Sequence, residues 1–297
     1  MPLSCKRRRL SDMELISHKK CMIGEGPIWN DRKGLLYFTN GIEKEFCQLD
    51  LQTGALTVCS IDPGATAIAF DEQDRMIVSQ PDGVFLLEGD TRLPLYDTAK
   101  YRISHANDMK VGPDGRIYVG TQSEKRKKLS DRIDGKLYSI DANGTVRVLL
   151  DGLLLSNGME WSMDETRFYH TDSDTRIIKE YLFDRASGDI TPTGRELYVP
   201  GVDGFTIDQN DDLYIACWGQ GHVAVASTLD LQVREYIPVP AKKPASCAFA
   251  GTEMDQLIVV TANYGTAREG DENAGCTFGT RLAAKGRAPY RFASGKK

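Results

Sequence analysis

The sequence predicts an all-β fold, a single six-bladed β-propeller, from three observations. A degenerate unit recurs six times along the 297-residue chain. The spacing of the units, about 40 to 50 residues, is typical of a four-stranded propeller blade. Turn dipeptides such as Thr53-Gly54 and Asn143-Gly144 separate alternating apolar runs, and no stretch shows helical periodicity over three turns. Another many-stranded β fold, such as a sandwich, is the alternative, but it rarely needs so many strands.

Each unit combines a short apolar strand, a polar turn and a second strand rich in Tyr, Ile, Val or Phe. The six units span residues 24–40, 64–80, 106–122, 156–172, 202–218 and 244–261. No linker rich in Pro, Ser or Gly divides residues 19–293, so we expect one propeller domain there, preceded by a flexible basic tail at residues 1–18. We expect the last stretch, residues 286–293, to pair as a strand with the early chain and close the ring.

Composition excludes several classes of function. The net charge of −5 argues against a nucleic-acid partner, and no apolar run is long enough to cross a membrane. The seven cysteines are odd in number and form no CxxC pair, which disfavours a disulfide framework and a zinc–thiolate site and favours a reducing, cytoplasmic location. No Gly-x-Ser-x-Gly motif supports a serine hydrolase. The oligomeric state is left open.

An oxygen-bearing side chain interrupts the apolar pattern near the start of the first strand in every unit. The six residues are Glu25, Thr66, Asn107, Asn157, Asp203 and Ser246. Because first strands line the central channel of a propeller, we expect Glu25, Asn157 and Asp203 to converge there, with Asn107 nearby. Two carboxylates in a confined mouth repel each other, and a divalent cation relieves that repulsion.

Oxygen ligands suit Ca²⁺, Mg²⁺ or Mn²⁺, and Zn²⁺ also accepts carboxylates. We expect one such ion, with Ca²⁺ favoured. The structural alternative is that these polar groups only cap strands or bind water in the channel.

The same residues carry a family resemblance that spans almost the whole chain. The matching stretches, in order, are Gly24–Trp29, Asn107–Val111 with Pro113–Arg116, Ser156–Met159, Asp203–Asp208, Pro244–Phe249 and Gly286–Phe292. With them the chain resembles the senescence-marker-protein/gluconolactonase/luciferin-regenerating family, which includes regucalcin.

The resemblance implies a six-bladed propeller with a metal ion bound by Glu25, Asn157 and Asp203. It implies that Asn107 helps to hold the substrate or a metal-bound water, and that Asp203 is the general base. Members of the family hydrolyse sugar lactones, so the implied function is metal-dependent opening of a small sugar lactone. The implied nucleophile is a water activated by the ion or by Asp203.

The sequence departs from the family pattern beside the third unit. His105 stands where the family often has an arginine that contacts the substrate, and Glu124 corresponds loosely to a substrate-binding glutamate. We expect both residues to bind substrate, while the identity of that substrate is open. The alternatives are an organophosphate or aromatic-ester hydrolase of the same family and a non-catalytic calcium-binding propeller.

Overall fold

A computed structural model describes residues 13–89, 91–265 and 270–294. The first twelve strands are Glu14–Ser17 (β1), Gly24–Asn30 (β2), Leu35–Asn40 (β3), Glu45–Leu49 (β4), Leu56–Ser60 (β5), Ala67–Phe70 (β6), Met76–Gln80 (β7), Gly83–Glu88 (β8), Thr91–Pro94 (β9), Ala106–Val111 (β10), Ile117–Thr121 (β11) and Gly135–Ile140 (β12). The next twelve are Val146–Leu153 (β13), Ser156–Trp161 (β14), Arg167–Asp172 (β15), Ile177–Asp184 (β16), Asp189–Tyr198 (β17), Val202–Ile207 (β18), Asp212–Cys217 (β19), His222–Ser227 (β20), Gln232–Pro238 (β21), Pro244–Ala250 (β22), Gln256–Thr261 (β23) and Thr277–Arg281 (β24). A single 3₁₀ turn, Gly41–Glu43, follows β3 in this part of the chain.

These strands form six four-stranded antiparallel sheets, which are the blades of a β-propeller. Blades 1 to 5 are β2–β5, β6–β9, β10–β13, β14–β17 and β18–β21, and blade 6 has the order β22-β23-β24-β1. The innermost strands contact one another around a closed cycle, from β2 through β6, β10, β14 and β18 to β22 and back to β2. The predicted fold class and the six strand pairs are therefore confirmed.

Apolar residues fill the spaces between neighbouring blades. Each of the six core clusters joins one pair of adjacent blades, so the core is a ring of interfaces around the channel. Between blades 3 and 4, for example, Tyr118 and Trp161 are fully buried and meet edge to face, with ring centroids 4.8 Å apart. Because every blade buries both of its faces in this way, the strands read as nearly continuous apolar runs.

The ring is closed by the start of the chain. Strand β1 pairs with β24 on the outer edge of blade 6, so residues 14–17 of the predicted 1–18 tail belong to a sheet. Residues 1–12 lie outside the described residues. No helix in the described ranges is long and apolar enough to cross a membrane. The cysteines in those ranges, which exclude Cys5, are free thiols.

The expected closing strand at residues 286–293 is wrong. This segment makes only isolated bridges, Gly286 with Asp208 and Phe292 with Asp71, and crosses the face of the ring that carries the turns between first and second strands. We call this the lower face. Hydrogen bonds and bridges join the segment to at least one residue of every blade there. In order from blade 6 to blade 1, these residues include Met254, Asp208, Glu160, Gly115, Asp74 and Asp31. It cannot extend blade 6, because β1 already occupies the edge of β24.

Candidate functional site

A repeated β-bulge positions the polar residues at the upper face, where the innermost strands begin. In β10, β14 and β18 the register with the second strand shifts by one residue directly after the first paired residue. The second residue of each strand, Asn107, Asn157 or Asp203, therefore lies in the bulge. In β2 the shift follows Glu25, which is also the second residue of its strand. Bulges turn side chains away from the ordinary alternation of a strand, and here they do so at equivalent places on neighbouring blades.

The remaining two residues of the predicted ring do not share this position. Thr66 precedes β6, and its hydroxyl lies 2.7 Å from that of Ser79. Ser246 is the third residue of β22, and Ala245 occupies the second position. The Ser246 hydroxyl packs against Gly204 of the neighbouring blade, where a Cβ atom would overlap it. In blades 2 and 6, therefore, the expected mouth residues have structural roles.

Three carboxylates share the upper part of the channel: the predicted Glu25 and Asp203, and Asp108. Burial raises the pKa of Asp203 to about 8, and the negative charge of Asp108 adds to the shift. Burial likewise raises the pKa of Glu25 well above its usual range, with further contributions from Asp203 and Asp108. The pKa of Asp108 is also raised, mainly by burial, against the opposing charge of Lys110. Each shift has the sign expected for like charges in a poorly solvated site.

Asn157 completes this group. Its side chain is 4% exposed, and its amide nitrogen donates a hydrogen bond to Oδ1 of Asp203. The bond favours the charged form of Asp203 and so opposes the rise in its pKa. The structure thus brings together the predicted metal ligands Asn157 and Asp203 directly, and Glu25 through its electrostatic interaction with Asp203.

Asn107 lies at the equivalent position in blade 3. Its amide nitrogen donates to the backbone oxygen of Ser156, 3.1 Å away on the next innermost strand. Ser156 is in turn held by His170, whose Nε2 lies 2.7 Å from the serine hydroxyl. Both Ser156 and His170 are buried, so they form a polar support behind Asn107 and Asn157.

His105 and Glu124 line a separate cavity of about 470 Å³ at the upper face, between blades 2 and 3. His105 has a positive φ of 57°, and its backbone donates to Pro81 and accepts from Gln122. This arrangement holds the residue in place immediately before β10. Burial and the neighbouring Lys127 lower the pKa of His105. The predicted substrate residues His105 and Glu124 are therefore brought together, on the same face as Asn107.

Sequence reasoning missed Asp108 and Arg126. Asp108 follows Asn107 at the position where blades 4 and 5 have Gly158 and Gly204, and that difference in the repeat was a usable signal. Arg126 lies in the connection between β11 and β12, and its charge lowers the pKa of Asp203. The residue pattern of the loop does not show that Arg126 comes near Asp203, because the conformation of the loop determines this distance.

The donor set fits a hard divalent cation. Glu25, Asp203 and Asn157 offer carboxylate and amide oxygens, the ligands that Ca²⁺ and Mg²⁺ prefer. A cation would also relieve the mutual repulsion that raises the pKa values of the carboxylates. Across residues 13–89, 91–265 and 270–294, no group of three or more His, Cys, Asp or Glu side chains could hold an ion alone. The set therefore depends on the amide of Asn157.

Comparison with known proteins agrees with this architecture. A family model described as the SMP-30/Gluconolactonase/LRE-like region matches residues 23–263. The chain is 30% identical to a pentonolactonase of Haloferax volcanii, over 91% of this chain and 94% of that protein. The structure resembles that of a luciferin-regenerating enzyme, with 25% identity, a TM-score of 0.85 and coverage of 95% and 99% of the two chains. It also resembles a calcium-binding regucalcin of Agrobacterium tumefaciens, with 23% identity, a TM-score of 0.83 and coverage of 95% and 97%.

Proposed function

Because the chain belongs to the SMP-30/gluconolactonase/LRE-like family, we propose that it is a divalent-metal-dependent hydrolase that opens a small sugar lactone. The observation that carries the proposal is the grouping of Glu25, Asn157 and Asp203, with Asp108, at the upper end of the channel. The pentonolactonase relative, which matches almost the whole chain, supports the substrate class. The fold alone would not, since propellers serve many functions.

Glu25, Asn157 and Asp203 are the proposed metal ligands. We take Ca²⁺ as the first candidate, because the ligands are all oxygen atoms and because the similar Agrobacterium structure is of a calcium-binding protein. Mg²⁺, Mn²⁺ and Zn²⁺ are the other candidates. When bound, the ion supplies Lewis-acid polarisation of the lactone carbonyl and stabilises the negative charge that develops on its oxygen.

Asp203 is the proposed general base. Its carboxylate accepts a proton from the attacking water while the water oxygen bonds to the carbonyl carbon. The ring C–O bond then breaks, and the ring oxygen leaves as a hydroxyl after taking up that proton. The product is an open hydroxy acid, which releases one proton to solvent. Asn157 holds the Asp203 carboxylate through its amide, so the base stays oriented toward the channel.

Asn107, His105 and Glu124 are the proposed substrate-binding residues. Asn107 is fixed by its bond to the Ser156 backbone, which leaves its amide oxygen free to accept from a sugar hydroxyl. The Glu124 carboxylate accepts a bond from Ser130 and has further acceptor sites for sugar hydroxyls. The pKa of His105 lies below its usual value, so at neutral pH its ring can both donate and accept a hydrogen bond.

A panel of aldonolactones, assayed with each metal and with chelator, tests this function. We expect lactone hydrolysis that chelator abolishes and Ca²⁺ restores. Asp203→Asn should remove turnover, without changing the melting temperature measured in chelator by more than a few degrees. An aromatic ester and a phosphotriester in the same panel test the other hydrolase activities. Metal binding without hydrolysis of any substrate would instead indicate a calcium-binding propeller.

A further inference from the structure

The connection between β11 and β12, residues 122–134, is much longer than its counterparts in blades 2 and 4. The equivalent connections there are residues 81–82 and 173–176. This basic loop contains four consecutive cationic residues, Lys125 to Lys128, and their side chains are exposed. The loop is therefore an addition to the upper face of blade 3 that the fold itself does not require.

The basic loop extends from the cavity of His105 and Glu124 to blade 4. Glu124, Arg132 and Asp134 line the cavity that also contains His105. Arg126 reaches blade 4, where its Nε lies 3.0 Å from both carboxylate oxygens of Asp174. This ion pair anchors the middle of the loop on the far side of blade 3. The loop thus connects the cavity with blade 4, and the charge of its Arg126 acts on Asp203.

Several charges around the cavity are neutralised internally. Asp82 accepts two bonds from Arg92, at 3.0 and 3.1 Å. Lys136 pairs with Asp151, and Arg132 lies 3.6 Å from Asp134. Arg126 is neutralised by Asp174, as described above.

Four cations have no acidic partner within 4.0 Å among the described residues: one lines the cavity, and three lie on the basic loop, which we take as the rim of the cavity. They are Arg102, Lys125, Lys127 and Lys128. Only the acids Glu124 and Asp131 oppose them locally, and neither pairs with a cation in the described part of the chain. The rim therefore carries an excess of about two positive charges on a protein whose net charge is −5. Lys127 and Arg102 both act electrostatically on His105, which lines the cavity itself.

We infer that the preferred substrate is an anionic lactone, one that carries a carboxylate or phosphate group in addition to the ring ester. The inference rests on the proposed lactonase function and names the substrate class of the same site. Arg102 in the cavity lining, and Lys127 on the adjoining basic loop, would bind the anionic group while the ring ester extends toward Asp203. Guanidinium and ammonium groups are the side chains that bind carboxylate and phosphate most strongly. The excess positive charge of the basic loop beside the cavity also attracts substrates of the opposite charge.

The test compares three lactones of similar size: neutral glucono-lactone, glucaro-lactone with a carboxylate, and 6-phosphoglucono-lactone. The variant is the double substitution Arg102→Gln/Lys127→Gln. Its matched control is Arg234→Gln/Lys285→Gln, which removes two charges from surface ion pairs far from the cavity. We expect the cavity variant to lose about tenfold in kcat/KM on the anionic lactones and less than twofold on the neutral one. The control should match the wild type on all three, and salt should weaken only the anionic preference.

The anionic lactone whose kcat/KM falls in the cavity variant shows whether the site binds a carboxylate or a phosphate. Equal kcat/KM on neutral and anionic lactones, with equal losses in the variant, would overturn the inference while leaving the lactonase function intact. If no lactone is hydrolysed, the proposed function fails, and binding decides the inference separately. Titration with glucitol 6-phosphate and with the uncharged polyol glucitol needs no turnover. Tighter binding of the phosphate compound, lost in the cavity variant only, would support an anion site, and equal binding would exclude it.

Discussion

At the scale of single residues, the candidate site depends on a few oxygen atoms that are costly to place together. Asp203 and Glu25 both have raised pKa values because burial and neighbouring carboxylates disfavour their charged forms. The hydrogen bond from the Asn157 amide only partly offsets the rise in the pKa of Asp203. A role in stability alone does not account for this arrangement, because neutral groups in place of the carboxylates would remove the repulsion.

Removal of any proposed ligand should therefore abolish metal binding. We expect Glu25→Ala, Asn157→Ala and Asp203→Ala each to weaken Ca²⁺ binding by more than about 100-fold, because each removes one of three protein ligands. His105→Ala should retain the ion and change the preference among lactones, since His105 lies in the separate cavity. Isothermal titration of Ca²⁺ into the four variants measures this. Loss of the ion in His105→Ala, or normal binding in Asn157→Ala, would contradict the assignment.

Buried His170 makes a pH-dependent contribution to stability. Burial, with a smaller effect of Lys179, lowers its pKa from 6.5 to about 3. The unfolded chain binds a proton at this residue below pH 6.5, whereas the folded chain does not until about pH 3. Its contribution is therefore complete above pH 6.5 and is lost as the pH falls toward 3. His170→Gln should abolish about 3 kcal/mol of the stability loss between pH 7.5 and 4.5.

Urea unfolding at pH 7.5, 5.5 and 4.5 measures this effect. His18→Gln is the control variant, because it removes one histidine from an exposed position and leaves His170 in place. If the unfolding free energy falls equally with pH in the wild type and in His170→Gln, other groups cause the loss of stability in acid.

At the scale of strands, the bulges explain what the sequence could and could not predict. The six strand pairs, and the position of Asn107, Asn157 and Asp203, follow from a repeat that is visible in the sequence. The misplacement of Ser246 has a simple cause, because a one-residue bulge changes which side chain faces the channel, and residue types do not reveal its exact position. Likewise, the basic loop could be recognised as charged but not located over the cavity.

Glycine follows the site residue in blades 4 and 5 because the innermost strands approach closely there. A Cβ atom at Gly158 would overlap the ring of Phe205 and the backbone oxygen of Asp203. Gly158→Ala should therefore destabilise the fold by about 3 kcal/mol and displace Asp203, which weakens Ca²⁺ binding. Gly54→Ala is the control, because the exposed turn has open space at the Cβ position and a φ of 73°. It should cost about 1 kcal/mol and leave Ca²⁺ affinity unchanged. Equal effects of the two substitutions would refute the argument.

At the scale of the whole molecule, two chain ends hold the ring together in different ways. Strand β1 completes blade 6 by ordinary sheet pairing, and Ile16 packs beside Gly279 of β24. The segment after residue 285 instead crosses the lower face and contacts every blade. The sequence predicted a flexible tail at residues 1–18 and a closing strand at residues 286–293. The second prediction is wrong because a stretch with two arginines and two aromatic residues is typical of an edge strand as well as of a segment that crosses the face of the ring. We propose that residues 19–293, together with β1, form one cooperative domain.

Arg287 is the residue through which this segment should stabilise the whole ring. Its guanidinium lies 2.8 Å from Glu160 inside the channel and also donates to the backbone oxygens of Trp161 and Ser162. Burial acts to raise the pKa of Glu160, but Lys110 and Arg287 together hold it below the usual value. Arg287→Gln leaves the buried carboxylate paired with Lys110, and leaves the segment held to blade 4 by the bond from Tyr290 to Glu165. We expect a loss of about 2 to 3 kcal/mol in the free energy of unfolding.

Denaturant unfolding followed by fluorescence and by circular dichroism measures this loss. The two probes should still change together in Arg287→Gln, because the remaining contacts of the segment keep all six blades in one unit. Lys285→Gln is the matched control, since its exposed pair with Glu253 lies just before the segment and should contribute nothing measurable. If Arg287→Gln has the same free energy of unfolding as Lys285→Gln, the Arg287 contacts do not stabilise the ring. Separate transitions for the two probes would instead show that blades unfold individually once Arg287 is removed, and that the cooperativity of the ring depends on this one buried contact.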